Sequence, residues 1–297
     1  MLITGATGFA GRHLAVLARE EGAEVTGLSR STGVDLSNRA AVKRTIVCAR
    51  PEVIFHLAAQ TSGSDEAELR RSNVEGTRNV LEAAASMERK PRILLAGSSA
   101  VYGCGPLEGL PISEAAPLAP GSAYAESKAE QDRLAEELGR ELDLKVIRAR
   151  AFNQTGPGER DTFVASSIAR QIAEIEAGQR APRIAIGRTD TVRDFSDVRD
   201  IVRGYWLAAT KGAPGDIYNL CSGRGISIQS ILDILLSSTE ARITVEEDPA
   251  RIRPSDVPVQ IGDPSKSAVA LGWRADISLE RTLGDLLEGW RYVVRRV

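Results

Sequence analysis

The chain has 297 residues, of which 42% are hydrophobic and 26% charged, a globular composition long enough for one large core or two unequal domains. Its formal net charge of −2 leaves no basic footprint, so we expect no nucleic-acid partner. Two histidines and three scattered cysteines offer no metal-ligand or disulfide spacing, and no apolar run approaches membrane-spanning length. We therefore expect a cytoplasmic protein with no membrane segment and no metal site.

The first predicted element is a short buried strand over residues 1–4, followed by glycines at positions 5, 8 and 11 and a helix over 12–21. Strand, glycine turn and helix in this order form a dinucleotide-binding fingerprint, although a plain turn is the alternative. The glycines allow close approach of the backbone to a pyrophosphate, which lies on the helix N-terminus. The turn residues predicted to contact a cofactor are Gly5, Thr7, Gly8, Phe9, Ala10 and Gly11.

The second predicted strand, over 24–28, ends in Ser29 and Arg30. A site selective for NAD usually carries Asp or Glu near this point, to hold the ribose 2′-hydroxyl. A hydroxyl and a guanidinium suit a 2′-phosphate instead, so we expect NADP(H) as the preferred cofactor and NAD(H) as the alternative. In the competing interpretation Arg30 is a solvated residue at a strand end.

The alternation continues through the first half of the chain. Strands are predicted over 53–57, 92–95 and 144–147, and helices over 38–50, 66–87 and 122–142. Such alternation predicts an α/β fold, a Rossmann-type doubly wound parallel sheet, which binds ligands beyond the carboxyl ends of its strands. His56, inside an apolar run, is interpreted as a core histidine rather than a ligand.

Tyr124 and Lys128 stand four residues apart in a predicted helix, so one helical face carries both. A phenol with a pKa of about 10 is a poor acid–base catalyst at neutral pH. We expect the neighbouring ammonium to lower that pKa, which would make proton exchange with a sugar or alcohol oxygen feasible. The Ser98 hydroxyl could hydrogen-bond the same oxygen.

From position 151 the alternation becomes less regular. Residues 151–158 form a loop rich in turn formers, and 193–200 lead into a helix that ends near 209. Helices are also predicted over 162–177, 228–236 and 279–294, and strands over 183–187 and 216–220. We therefore predict a cofactor-binding Rossmann domain over 1–152, with return segments near 190–221, and a smaller, mainly substrate-binding domain over 153–297.

Order and spacing of these motifs resemble the extended short-chain dehydrogenase/reductase family of nucleotide-sugar enzymes, also called the NAD-dependent epimerase/dehydratase family. The motifs are the glycine turn, Asp35-Leu36, Ala58-Ala59, Ser98, and Tyr124 with Lys128. Within the family, the segments 151–158, 193–200, 253–258 and 262–266 are most similar to GDP-6-deoxy-4-keto-D-mannose reductases.

The resemblance implies residue roles and a homodimer built through the helix of Tyr124 and its neighbouring helix. The implied catalytic residues are Ser98, Tyr124 and Lys128. Further implied cofactor contacts are Asp35, Leu36, Leu57, Ala58, Ala59, Gln60, Tyr124 and Lys128. The implied substrate contacts are Ser99, Asn153, Val164, Arg193 and Arg253. Guanidinium forks suit a nucleotide diphosphate, whereas surface ion pairs are the alternative reading of the two arginines.

Ala100 separates the reactions of the family. Dehydratases that resemble this chain place a carboxylate at this position to remove the C5 proton of the sugar, and a methyl group cannot do so. The expected reaction is therefore NADPH-dependent reduction of the C4 ketone of a GDP-4-keto-6-deoxy-D-mannose type sugar to a GDP-6-deoxyhexose such as GDP-D-rhamnose. The alternatives are a nucleotide-sugar 4-epimerase with tightly bound NAD, a GDP-mannose 4,6-dehydratase, and a non-catalytic NADP sensor.

Overall fold

A computed structural model describes residues 1–61, 65–103, 110–252 and 257–296. The strands are β1 Leu2–Thr4, β2 Thr26–Leu28, β3 Val53–His56, β4 Arg92–Ser98, β5 Lys145–Ala151, β6 Asn153–Thr155, β7 Arg183–Ile186, β8 Val192–Asp197, β9 Ile217–Leu220, β10 Gly225–Ser227, β11 Thr244–Glu247 and β12 Val259–Gln260. The α-helices are α1 Phe9–Glu20, α2 Arg39–Ala49, α3 Glu66–Leu69, α4 Gly76–Ala85, α5 Ala123–Glu141, α6 Val164–Glu176, α7 Val198–Lys211, α8 Ile228–Ser237, α9 Ser265–Leu271 and α10 Leu279–Val294.

The larger sheet has parallel strands in the order β2-β1-β3-β4-β5-β9. Helices α2, α4 and α5 cover one face around a core that includes Ile46, Val80 and Leu138, while α1 and α7 cover the other. Because both faces are covered, β1, β3 and β4 are mostly apolar, whereas β5 carries the buried Arg148 and Arg150. The predicted α/β fold of Rossmann type is confirmed, and the carboxyl ends of its strands meet at one edge.

The second half of the chain adds a smaller layer. Strand β8 pairs with β10, β12 and β6, and β7 pairs with β11. Helices α6, α8 and α10 pack together beside them around a separate apolar core. Strand β9 and helix α7 return to the larger sheet, which places the two layers against each other. The domain boundaries proposed from the sequence stay a prediction.

Strand β8 is absent from the sequence-based prediction, which treats its residues as the lead-in to a helix. It carries Arg193, Asp194, Ser196 and Asp197 with only one large apolar residue between them, so it shows none of the usual apolar alternation. The fully buried Asp194 carboxylate accepts backbone N–H groups of Ser222 at 2.7 Å and of residue 223 at 2.9 Å. Tertiary hydrogen bonds therefore replace the apolar face of an ordinary strand.

The helix predicted over 66–87 is interrupted. Its middle, Arg70–Glu75, is a π-helix between α3 and α4. The widened turn places Asn73 inside the protein, where its Oδ1 accepts the backbone N–H of Gln60 at 2.8 Å and its Nδ2 donates to the Ser127 hydroxyl at 3.0 Å. A π-turn in a helix frequently marks a functional site.

Helix α5, the helix of the implied dimer contact, exposes a charged surface. Its outer side exposes four charged residues, Glu126, Arg133, Glu137 and Arg140.

Within the described part of the chain, no helix combines the length and the apolar character needed to cross a bilayer.

Candidate active site

The three predicted catalytic residues lie together at the carboxyl end of β4. Ser98 ends this strand, and its hydroxyl hydrogen-bonds to Tyr124 in the first turn of α5. Lys128, one helical turn further and buried, donates from Nζ to the carbonyl oxygen of Ala96 at 2.7 Å. Helix α5 begins here because the Ser122 hydroxyl accepts the backbone N–H of residue 125 at 3.2 Å, an ordinary N-cap.

The pKa of Tyr124 is raised, which is opposite to the lowering expected from the neighbouring Lys128. Burial raises the pKa of Tyr124 above its ordinary value, and the Ser98 hydrogen bond opposes this only in part. The Lys128 ammonium is bonded to the Ala96 carbonyl and to the amide oxygen of Gln131. Tyr124 is therefore a neutral phenol at neutral pH and carries a proton that it can give away.

Burial also sets the charge of Lys128 and of its neighbour His56. It lowers the pKa of Lys128 to about 8, with the Asp132 carboxylate acting in the opposite direction. Burial lowers the pKa of His56 to about 3, and the nearby Lys128 charge adds to that shift. His56 is neutral, with Nδ1 2.7 Å from the Thr4 hydroxyl and Nε2 2.8 Å from the Thr77 hydroxyl. It is a core histidine, as the sequence indicates.

The glycine turn between β1 and α1 leaves no room for side chains. Gly5 has φ +71°, and a Cβ at that position would lie 2.9 Å from the backbone nitrogen of Ala58. A Cβ at Gly11 would lie 2.1 Å from the carbonyl oxygen of Gly5. Gly8 is the N-cap of α1, and among the described residues no side chain caps that helix end. Its free N–H groups and the bare backbone fit a pyrophosphate, so this turn suits a dinucleotide.

The segment after β2 lies beside that turn. Arg30 begins a short 3₁₀ helix rather than ending a strand, and Ser29 caps it. The Ser31 hydroxyl donates to the Thr7 hydroxyl at 3.1 Å, which joins this segment to the glycine turn. The Arg30 side chain is 53% exposed and lies 3.5 Å from a carboxylate oxygen of Asp35.

The remaining predicted cofactor contacts lie near the same edge with different exposures. Leu36 is buried, whereas Leu57, Ala58 and Ala59 are half-buried. The Gln60 amide donates to Glu68 at 2.9 Å, and the same Glu68 oxygen lies 3.5 Å from Arg30.

A second opening, a cleft of about 410 Å³, lies between the smaller sheet and α6, within the size range of small-molecule sites. Its lining includes three of the predicted substrate contacts, Asn153, Val164 and Arg193. Ser98 is paired in register with Ala151, the last residue of β5. Asn153, which lines the cleft, follows two residues later, so the cleft begins at the same sheet edge as Ser98.

The other two predicted substrate residues are Ser99 and Arg253. The buried Ser99 hydroxyl donates to the amide oxygen of Gln260 at 3.0 Å. Arg253 lies outside the described residues. Arg251, which the sequence analysis does not select, lines the cleft, and its guanidinium donates to the Ser167 hydroxyl at 3.2 Å.

The sequence does not predict the buried polar residues that hold Lys128 in place. Gln131 and Thr77 are at most 1% exposed and hydrogen-bond to each other at 2.7 Å across a separation of 54 residues. A polar residue at a helix position carries no sign of such a partner in the sequence. The one available signal is His56, a polar residue within an apolar strand.

Comparison with known proteins agrees with this arrangement. The family model "NAD dependent epimerase/dehydratase family" matches residues 1–221, which contain both the glycine turn and the Ser98, Tyr124 and Lys128 site. The GDP-6-deoxy-D-mannose reductase of Pseudomonas aeruginosa is 31% identical, and the alignment covers 99% of this chain and 98% of that protein. A GDP-mannose 4,6-dehydratase of Yersinia enterocolitica is 26% identical, with 97% and 92% covered.

The fold of the chain is also similar to solved structures. The structure of RMD from Pseudomonas aeruginosa complexed with NADPH has a TM-score of 0.90 at 30% identity, with 100% of this chain and 99% of that chain covered. Both the matched family region and the full-length similarity extend over the site described above. The chain belongs to the NAD-dependent epimerase/dehydratase family.

Proposed function

We propose that the protein uses NADPH to reduce the C4 ketone of a GDP-4-keto-6-deoxy-D-mannose type sugar to a GDP-6-deoxyhexose, GDP-D-rhamnose. The observation that carries the proposal is the pairing of a protonated, half-buried Tyr124 with Ser98 at a site where Ala100 provides no base. A ketone reduction needs an acid for the forming alkoxide, and a dehydration needs a base for the C5 proton. Similarity along the whole length to the Pseudomonas reductase supports the same choice.

The chain's own residues supply the proton and hold the charge. When bound along the glycine turn, the nicotinamide cofactor supplies the hydride for C4. Tyr124 donates its phenolic proton to the C4 oxygen as that oxygen gains charge, and the Ser98 hydroxyl hydrogen-bonds the same oxygen. The Lys128 ammonium stabilises the phenolate that Tyr124 becomes. Solvent then returns a proton to Tyr124.

We assign arginines to the 2′-phosphate of the cofactor and to the diphosphate of the substrate. We assign Arg30, with Ser29, to the 2′-phosphate of NADPH, and the RMD structure with NADPH supports that choice of cofactor. We assign Asn153, Arg193 and Arg253 to the nucleotide diphosphate, because a planar guanidinium can pair with phosphate through two N–H bonds.

Ala100 is what separates this proposal from a dehydratase, since curated dehydratases are also similar along the chain. The neighbouring Ser99 does not replace the missing base, because its hydroxyl donates to Gln260. Neither position 99 nor position 100 therefore offers a GDP-mannose substrate a group able to take its C5 proton.

The test is a pair of reactions followed by NADPH absorbance and by separation of the nucleotide sugars. With GDP-4-keto-6-deoxy-D-mannose, the enzyme should oxidise one NADPH for each sugar reduced, and with GDP-mannose it should do nothing. Conversion of the sugar without loss of NADPH, and release of NAD on denaturation, would identify an epimerase instead. Consumption of GDP-mannose would identify a dehydratase.

We also infer a cytoplasmic homodimer. The described cysteines, Cys48 and Cys221, are free thiols, which fits a reducing compartment. The charged outer side of α5 would make the dimer contact polar and salt-sensitive. Light scattering at low and high salt tests this, because a monomer at both concentrations would contradict it.

A further inference from the structure

A series of buried polar side chains links Lys128 to Ala58, whose backbone lies against Gly5 of the glycine turn. It starts at Ala58, whose backbone N–H donates to the Thr4 hydroxyl at 3.1 Å, and continues through His56 to Thr77 and Gln131. The four side chains of this series are at most 1% exposed. Since strand ends β1 and β3 carry its first members, the series is fixed to the frame of the larger sheet.

The hydrogen-bond partners determine where each proton lies. The Thr77 hydroxyl is 2.6 Å from the carbonyl oxygen of Asn73, which can only accept, so the single hydroxyl proton of Thr77 points there. His56 Nε2 and Gln131 Nε2 must then both donate to the Thr77 oxygen. This assigns the imidazole proton to Nε2 and leaves Nδ1 to accept from Thr4.

The same logic fixes the orientation of the Gln131 amide. Because its NH₂ group must face Thr77, its oxygen must face Lys128, where it accepts from the ammonium. Reversing the amide would aim two donors at a cation. Among the described residues Lys128 thus has two neutral acceptors, Gln131 and the Ala96 carbonyl, and a third N–H remains for the site.

A carboxylate is close but is bonded elsewhere. Asp132, the residue after Gln131, accepts from Arg150 at 2.8 Å and from Arg148 at 3.1 Å, all three side chains being at most 5% exposed. The two buried guanidinium groups of β5 hold the carboxylate of α5 beside, rather than on, Lys128.

We propose that Gln131 is a positioning residue, whose amide, anchored through Thr77 and His56, holds the Lys128 ammonium with a neutral acceptor beside β4. A neutral acceptor fixes the place of the ammonium without adding the negative charge that would hold its proton more tightly. The proposal rests on the function proposed above for Lys128.

The titratable groups around Lys128 are Asp132 and Tyr124 on α5 and His56 on β3, with the β5 arginines behind Asp132. Strand β4 contributes the Ala96 carbonyl, and the π-helix contributes the neutral Asn73. His56 is neutral above a pH of about 3. A shift in the midpoint near pH 8 in a Gln131 variant should therefore belong to Lys128 and not to His56.

The experiment measures the titration of Lys128 in the protein without cofactor. Lysine labelled with ¹³C at Cε gives six lysine signals, and Lys128→Arg identifies the one that titrates near pH 8. Gln131→Glu adds a carboxylate and should raise that midpoint by about one pH unit or more, whereas Gln131→Met removes the acceptor and should lower it. Midpoints that stay at the wild-type value, or that move in the same direction in both variants, overturn the proposal.

A second pair of variants covers the case in which a Gln131 variant does not fold. Thr77→Ser keeps the hydroxyl that orients the amide and should keep the wild-type midpoint. Thr77→Val removes the hydroxyl and should lower the midpoint as Gln131→Met does. An unchanged midpoint in Thr77→Val would contradict the anchoring step.

Kinetics separate this inference from the proposed function. Because the ammonium is the active form, kcat/KM of the wild type should fall as pH rises through about 8, and this alkaline limb should follow the lysine midpoint in each variant. If the midpoints move as expected while the limb stays in place, the Gln131 contact stands and the proposed role of Lys128 is wrong.

Discussion

Lys128 is 2% exposed and bonded to an amide and a carbonyl, whereas the Arg30 side chain is 53% exposed and lies 3.5 Å from carboxylates of Asp35 and Glu68. Arg193, half-buried in the cleft, donates to the carbonyl of Val192 at 2.9 Å. The interior around Lys128 thus keeps its cation fully buried in neutral contacts, whereas the arginines of the two outer sites are partly or mostly exposed.

The difference follows from what each region must do. A buried charge cannot exchange partners cheaply, since an unpaired state would cost several kcal/mol, so its position is fixed before substrate arrives. An exposed arginine exchanges a carboxylate or carbonyl for a phosphate at little cost, because exposed ion pairs contribute only about 0–1 kcal/mol. Changes in the interior should therefore alter turnover and stability, and changes at the outer sites should alter binding.

The largest effect should come from Tyr124→Phe. Removing the proton donor should lower kcat by about 10²–10⁴-fold while the NADPH dissociation constant stays near its wild-type value. Stopped-flow turnover and fluorescence titration of NADPH measure the two quantities. Tyr292→Phe, which changes an exposed tyrosine on α10, is the matched control and should keep full turnover. Near-native turnover of Tyr124→Phe would remove this residue from the mechanism.

Asp132→Asn should cause the largest loss of stability. It leaves Arg150 buried without its carboxylate and Arg148 with that of Glu136 alone, and breaking a buried pair costs about 3–5 kcal/mol. Urea denaturation followed by circular dichroism measures the free energy of unfolding. The control is Arg140→Ala, which breaks a pair with Glu136 whose side chains are 75% and 48% exposed and should cost about 0.5 kcal/mol or less. Equal unfolding midpoints for the two variants would contradict the comparison.

Arg30→Ala should weaken NADPH binding by about 1.5–3 kcal/mol, the value of a charge-assisted hydrogen bond. NADH lacks the 2′-phosphate, so its affinity should hardly change and serves as the internal control. Calorimetric titration of both cofactors gives the gap between them. A wild-type protein that binds NADH more tightly than NADPH would show that this interpretation of Ser29 and Arg30 is wrong.

Arg193→Ala should raise the KM for the nucleotide sugar by about tenfold and leave NADPH binding unchanged, since one guanidinium contact to phosphate is lost. Arg193→Lys should recover little, because an ammonium cannot form the paired N–H contacts. The control is Arg183→Ala on β7, which breaks an exposed pair with Glu246 on β11. If KM is the same in the Arg193 and Arg183 variants, Arg193 is a surface cation.

The sequence predicts the features that depend on local patterns and not those that depend on burial and tertiary contacts. The glycine turn and the Tyr124–Lys128 spacing are local patterns, and local patterns predicted the Rossmann sheet and brought Ser98, Tyr124 and Lys128 to one edge. Burial is not local, so the direction of the Tyr124 pKa shift was predicted wrongly. The π-turn at Asn73 and strand β8 were missed because tertiary hydrogen bonds hold them in place of an apolar pattern.

The central claim is that hydride passes from NADPH to C4 of the sugar while Tyr124 supplies the proton. The most direct measurement uses NADPH carrying deuterium at the transferable nicotinamide C4 position, GDP-4-keto-6-deoxy-D-mannose, and NMR of the isolated product. The account predicts one deuterium at C4 of the sugar for each NADPH oxidised. A product formed without deuterium at C4, or formed while NADPH persists, would contradict it.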